Sequence, residues 1–294
     1  MTEWTGVRDK RVLITGATRG IGLAAAQALA RRGARLAIVA RDDSRAAAAV
    51  KSIEGEGGGQ VDVLHADLTS QASVRTLAKE ALERYARIDV LVNNAGAIFA
   101  NRELTIDGIE RTWALNHLAP FLLTDLLLDR IKASAPARII TTSSDAHKGK
   151  LIPFDDLNAE RSWKGRGFTR YGETKLANIM LTRELARRLE GTGVTVYCFH
   201  PGLVATGFNR NNGALMSAAM TVIAPFARSP RKAAQTLVWL ADSPDVSKQS
   251  GGYYEDRALA VSSRQAQDPT LARRLWEVSE AQVRPASVAG PGVP

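Results

Sequence analysis

Six short apolar runs rich in β-branched residues punctuate the chain, at 11–15, 35–40, 61–65, 88–92, 137–142 and 194–200, and a shorter one lies near 252–254. Between them stand longer segments whose apolar residues recur every three to four positions: 20–33, 44–54, about 70–87, 105–132, 171–189, 230–241 and 269–282. Brief continuous apolarity predicts buried strands, and the longer period predicts amphipathic helices. Strand and helix in alternation predict a doubly wound α/β fold, a parallel sheet of about seven strands flanked by helices. In the 105–132 segment Trp113, Leu115, Leu118, Phe121, Leu122 and Leu126 form a broad apolar face, with a kink expected at Pro120. The stretch 207–228 is apolar but broken by Gly213 and Pro225, so it reads as a lid after the sixth strand. Gly55 to Gly59 are too few for a domain linker, so residues 1–286 are expected to form one domain, with a disordered tail at 287–294.

Composition narrows the class. At 294 residues with 45% hydrophobic content, the chain can bury a full core. The one cysteine, Cys198, lies in the sixth apolar run, so no internal disulfide can form and a buried thiol in a reducing cytoplasm is expected. No run approaches the roughly 18 apolar residues of a membrane span, and the first residues lack a leader's apolar region; a soluble, untargeted protein is expected. A net charge of +9 raises nucleic acid as a partner, but the cations are spread over helices, as in Arg31-Arg32, Arg187-Arg188 and Arg273-Arg274. Solvated helix faces account for that pattern, and no nucleic-acid site is expected.

The chemistry gathers at the ends of the apolar runs. Gly16-Ala17-Thr18-Arg19-Gly20-Ile21-Gly22 joins the first strand to the first helix, and glycines there let backbone N–H groups approach a pyrophosphate. The residue ending the second strand reads the adenine ribose: Arg41, with Arg19, suits a 2′-phosphate, whereas Asp42 would serve a 2′-hydroxyl if the strand ended one residue later. NADP(H) is therefore preferred, with NAD(H) the alternative. Asp67-Leu68 can reach the adenine edge, and Asn93-Asn94-Ala95-Gly96 can tie neighbouring strands together while the ribose passes close to the backbone. Asn116, in an apolar stripe, is either a structural bridge or the anchor of a catalytic water. His117 is read as a helix histidine, with no second ligand at metal spacing. Ser143-Ser144 end the fifth strand, where open α/β sheets bind ligands. Tyr171 and Lys175, four apart, share one helix face, so an ammonium can draw a phenol's pKa of about 10 toward neutrality. The apolar positions from Leu203 to Phe226 follow the sixth strand and suit an apolar substrate, or else packing against a second subunit or the core.

In this order the motifs resemble the short-chain dehydrogenase/reductases, Rossmann-type enzymes, over nearly the whole chain: Thr15-Gly16-x-x-x-Gly20-Ile21-Gly22, Asp67-Leu68, Asn93-Asn94-Ala95-Gly96, Asn116, Ser143-Ser144, Tyr171-x-x-x-Lys175 and Pro201-Gly202. Ser-Ser-x-Ala-His at 143–147, His-Pro-Gly-x-Val-x-Thr at 200–206 and Gly-x-Tyr-Tyr-x-Asp at 251–256 resemble the branch of retinol dehydrogenases, WW-domain oxidoreductase and protochlorophyllide reductase. The resemblance is to the catalytic domain alone, with neither WW module nor membrane anchor. It implies Tyr171 as acid/base, Lys175 lowering its pKa and holding the nicotinamide ribose, and Asn116 positioning a relay water. It also implies Ser144 on the substrate oxygen, with Ser143 as the alternative, and Pro201, Gly202, Val204 and Thr206 at the nicotinamide, Thr206 on its carboxamide. The expected reaction interconverts an alcohol and an aldehyde or ketone, on a small-molecule substrate. A cofactor-binding regulatory protein without turnover is the alternative.

Overall fold

The computed structural model describes residues 3–57, 59–204, 227–246 and 249–284. The tail expected at 287–294, and the lid apart from residues 227 and 228, lie outside them. Among the described residues eight strands form one sheet: β1 Arg11–Thr15, β2 Arg35–Ala40, β3 Asp62–His65, β4 Val90–Asn93, β5 Ala137–Thr142, β6 Val194–His200, β7 Tyr253–Glu255 and β8 Ala258–Leu259. Their order is β3-β2-β1-β4-β5-β6-β7-β8, parallel throughout except for the β7–β8 pair. The helices are α1 Gly20–Ala30, α2 Asp43–Glu54, α3 Gln71–Arg84, α4 Arg111–Trp113, α5 Ala119–Ala133, α6 Phe168–Arg188, α7 Pro230–Ala233, α8 Gln235–Asp242, α9 Arg264–Gln267 and α10 Pro269–Val283.

Alternate strand residues feed two separate cores. Leu13, Leu91, Ile139, Val196 and Cys198 pack beneath α3, α5, α6 and α10, while Val12, Ile14, Val92, Ile140 and Phe199 pack beneath α1, α2 and α8. Both faces being covered explains why the strands read as unbroken apolar runs. Cys198 is buried, and burial pushes its thiol up to about 12, which leaves it unreactive. His117 is fully buried with Nε2 2.7 Å from the Ser279 hydroxyl, a cross-link from the α4–α5 region to α10.

Three elements differ from expectation. The helix expected from 105 begins at Arg111, because the Glu110 carboxylate caps the N–H groups of Thr112 at 2.7 Å and Trp113 at 2.9 Å, and a turn closed by Thr105 N–H on the Ile109 carbonyl precedes it. Its interruption is a π-helical turn, Ala114–Leu118, and Pro120 sits in the first turn of α5, where proline costs no hydrogen bond. The helix expected to open near Tyr171, α6, starts at Phe168. β8 was not expected: its hairpin turns on Asp256 and Arg257, both at positive φ, with no glycine to mark it.

Candidate active site

From β1 the sheet extends to β2 and β3 on one side, and from β4 to β5 and beyond on the other, so a crevice opens between the ends of β1 and β4. A cavity of about 730 Å³ lies there. Thr15 and Asn94 hold its floor. The Thr15 hydroxyl accepts from the N–H groups of Asn94 at 3.0 Å and Ala95 at 3.1 Å, and the Asn94 amide donates to the carbonyls of Thr15 and Gly16, each at 3.1 Å. Thr142 donates to the same Asn94 side chain at 3.2 Å, so one asparagine ties the ends of β1, β4 and β5. A Cβ on Gly22 would lie 2.2 Å from the Gly16 carbonyl oxygen and 2.5 Å from Asn94 Nδ2, so only glycine lets α1 start this close.

Along the cavity wall stand Gly16, Thr18, Arg19, Gly20, Ile21, Gly22, Arg41, Asp67, Leu68, Asn94, Ala95, Gly96, Ser144, Tyr171, Lys175, Pro201, Gly202 and Val204, with Gly96 beside Lys175. Thr206 lies outside the described residues, and Asn116 is not part of the wall. β2 ends at Ala40, so Arg41 is the residue that leaves the strand, and Asp42 caps α2 by accepting from Arg45 N–H at 2.9 Å and the Ser44 hydroxyl at 2.6 Å. Arg45, one turn into α2, joins Arg19 and Arg41 on the wall; the cap residue three places earlier was its only signal in the sequence. Burial raises the Asp67 carboxyl, but hydrogen bonds from Thr69 and the charges of Arg41 and Arg111 outweigh it and hold the group below the usual range.

The structure separates the two serines. Ser143 is buried and donates to the Lys175 carbonyl at 2.8 Å, which fastens β5 to α6. The Ser144 hydroxyl accepts the Ala146 N–H at 3.2 Å and lies near enough to the Tyr171 hydroxyl to pull its pKa down. Gly172 makes this approach possible, since a Cβ there would lie 2.4 Å from the Ala146 carbonyl. Lys175 Nζ sits 5.2 Å from the Tyr171 ring centroid and donates to the Thr142 carbonyl at 3.0 Å. Burial pushes the Lys175 ammonium down to about 7. Burial likewise pushes the Tyr171 phenol up to about 12, against the opposing pull of Ser144. The lowering of Tyr171 expected from Lys175 is therefore not found, because a buried phenolate costs more than the neutral phenol.

Asn116 is fully buried, and its amide exchanges two 2.9 Å hydrogen bonds with the Ala97 backbone and donates to Thr174 at 3.2 Å. Thr174 in turn donates to the Tyr171 carbonyl at 2.7 Å, so the Asn116 side chain is a bridge holding the first turn of α6. Ile98, Phe99, Leu115, Phe168, Leu203 and Val204 form the apolar part of the cavity wall. Phe99, Leu115 and Phe168 were missed as site residues; Phe168, three before Tyr171 on α6, is the one that helical spacing could have found.

A glycine-cradled crevice that holds a serine, a tyrosine and a lysine in mutual reach belongs to the NAD(P)-dependent oxidoreductases. The short chain dehydrogenase family model matches residues 10–217, and the chain belongs to that family. It is 43% identical over 291 residues to retinol dehydrogenase 14 of Mus musculus, an alignment covering 94% of this chain and 86% of the relative. Among solved structures, an uncharacterized protein of Mycobacterium paratuberculosis superposes with a TM-score of 0.76 at 32% identity, over 96% of this chain and 98% of that one. The Pseudomonas aeruginosa RhlG/NADP active-site complex superposes with a TM-score of 0.68 at 29% identity, over 86% of this chain and 96% of that one. Alcohol and carbonyl oxidoreduction is thereby the chemistry of this chain's family and branch. Among the described residues no helix is long and apolar enough to cross a membrane.

Proposed function

We propose that this protein is an NADP(H)-dependent oxidoreductase that interconverts an apolar alcohol and its aldehyde or ketone, with Tyr171 as acid/base. The observation that carries the reading is the convergence of Ser144, Tyr171 and Lys175 on one wall of the glycine-cradled cavity, with Lys175 Nζ 5.2 Å from the Tyr171 ring centroid. NADP(H) supplies or takes up the hydride. In the reducing direction Tyr171, whose phenol is held near 12 and so keeps its proton at neutral pH, gives that proton to the oxygen as negative charge builds there. Ser144 already accepts the Ala146 N–H, so its own hydrogen is left for Tyr171 or the substrate oxygen. Lys175 holds the nicotinamide ribose, and Asn116 positions a relay water through its main chain, its side chain being engaged by Ala97 and Thr174. On this reading residues 1–286 act as one catalytic domain, cytoplasmic, with a small-molecule substrate. Purified protein given NADPH and a panel of carbonyl compounds tests it: sustained NADPH oxidation is expected, and binding without turnover would sink the catalytic reading.

The NADP(H) preference rests on Arg41 with Arg19 and Arg45, and on the Asp42 carboxylate being taken up by its helix cap. Arg41→Ala is expected to weaken NADPH by about 1.5–3 kcal/mol, the range of a hydrogen bond to a charged group, and to leave NADH nearly unchanged. Dissociation constants for both cofactors check this; equal losses would assign Arg41 to the fold.

The apolar substrate is supported by the wall of Ile98, Phe99, Leu115, Phe168, Leu203 and Val204, and by the similarity to a retinol dehydrogenase. The rest of the apolar stretch lies outside the described residues. Each methylene buried against that wall contributes about 0.8 kcal/mol, so kcat/KM is expected to rise along a homologous aldehyde series. A flat or falling trend would remove the apolar preference while leaving the reductase reading in place.

A further inference from the structure

Ser-Ser-x-Ala-His at 143–147 and Gly-x-Tyr-Tyr-x-Asp at 251–256, which carry none of the chemistry above beyond Ser144, meet behind the cavity. His147 is fully buried. Its Nδ1 lies 2.7 Å from the Ser144 carbonyl oxygen, and its Nε2 lies 3.1 Å from the Ser263 backbone nitrogen. A carbonyl only accepts and a backbone N–H only donates, so Nδ1 carries the hydrogen and Nε2 is the acceptor. One imidazole, in one tautomer, thus joins the backbone beneath Ser144 to the loop that follows β8. Tyr253 packs edge-on against the imidazole, with centroids 5.2 Å apart, and its hydroxyl donates to Asp145 at 2.8 Å. Asp145 also takes Lys148 Nζ at 2.7 Å, and its N–H donates to His200 Nδ1 at 3.3 Å. The turn from Ser144 to His147 is therefore held by Asp145 and His200, which line the cavity, and from behind by His147, Lys148, Tyr253 and Ser263, which do not.

We propose that His147 is a positioning residue for Ser144: by donating from Nδ1 to the Ser144 carbonyl, it sets the direction in which the Ser144 hydroxyl meets Tyr171 and the substrate oxygen, while its bond to Ser263 serves the stability of that loop. Burial holds the imidazole below its ordinary pKa, which keeps the neutral, bidirectional clamp in place. The inference rests on the role given to Ser144 above.

Three substitutions separate the two backbone bonds. His147→Asn keeps a donor where Nδ1–H stood and loses the acceptor for Ser263. His147→Gln keeps an acceptor near Nε2 and loses the bond to Ser144. His147→Leu loses both. The readouts are kcat and KM with NADPH and a fixed aldehyde, the NADPH dissociation constant, and the thermal midpoint. Leu and Gln are expected to lower kcat by roughly tenfold or more, the scale of a misaligned group at a reacting centre, with NADPH affinity within about twofold. Asn is expected to restore kcat to within about threefold of wild type, even where its thermal midpoint falls as far as that of Gln. Equal kcat losses in Asn and Gln would make His147 a plain structural residue and overturn the proposal, as would a Leu variant with wild-type kcat. If the Leu variant does not fold, the comparison of Asn with Gln decides alone. Ser144→Ala, measured beside them, keeps the two readings apart. Wild-type kcat in Ser144→Ala overturns the role of Ser144 itself, whereas a lost kcat there with indifferent His147 variants overturns only the role of His147.

Discussion

Replacing Tyr171 by Phe is expected to lower turnover by a factor on the order of 10² or more while leaving the fold and NADPH affinity nearly intact, the usual scale for a positioned acid/base. The ring that Lys175 Nζ overlies at 5.2 Å remains; the hydroxyl that meets Ser144 and carries the proton does not. Burial holds the wild-type phenol near 12, so its proton is present throughout the neutral range, whereas the variant has no such proton at any pH. Steady-state NADPH oxidation with a carbonyl substrate, beside an NADPH titration by fluorescence, measures both halves of the expectation. Near wild-type turnover in this variant would remove Tyr171 from the chemistry.

Glu110→Ala is expected to destabilise the protein by about 3–5 kcal/mol, the range for removing one partner of a buried ion pair. Glu110 is fully buried, and its carboxylate accepts from Thr112 N–H, from Trp113 N–H and from Arg170 Nε at 2.8 Å. Arg170 is 2% exposed, stacks over Trp113 at 4.6 Å, and also binds Glu173 at 3.1 Å and the Leu157 carbonyl. Taking away the carboxylate leaves the buried guanidinium with Glu173 as its one carboxylate partner among the described residues and uncaps α4 at the same stroke. The pair Glu110→Met with Arg170→Leu should recover part of the loss, because desolvation consumes much of what such a pair gains, while Glu173 is left without its arginine. Chemical denaturation of the single and double variants checks this; a single variant within 1 kcal/mol of wild type, roughly the worth of a surface pair, would show that water reaches the site. Arg170 immediately precedes Tyr171, so loss of the pair should loosen the start of the catalytic helix and appear in kcat as well.

Much of the architecture was written locally. A run such as Val12-Leu13-Ile14 carries its strand character within a few residues, and the segment from Leu176 to Leu185 carries its helical period within three turns. The glycine turn, the position of Arg41 one residue beyond β2, and the Tyr171–Lys175 spacing are also short-range facts, which is why they could be read before any contact was known. β8 was illegible because its turn, at Asp256-Arg257, uses residues that only tertiary packing holds at positive φ. The start of α4 was misread for a related reason. The apolar period continues through 105–110, but the Glu110 carboxylate, held by Arg170 from α6, ends the pattern there.

The site divides in the same way. The sequence by itself determined which residue types gather at the strand ends, because periodicity and turn chemistry place those ends. Which of Ser143 and Ser144 faces Tyr171 was decided only in three dimensions. Both serines meet α6, but the Ser143 hydroxyl is taken by the Lys175 carbonyl, which leaves the Ser144 hydroxyl for Tyr171. Tertiary packing also decided that the Asn116 amide belongs to Ala97 and Thr174, that Arg45 joins Arg41, and that His147 lies between Ser144 and Ser263. It set the protonation of Tyr171 too: spacing along a helix brings Lys175 near, but burial, a property of the whole fold, outweighs that neighbour and keeps the phenol neutral.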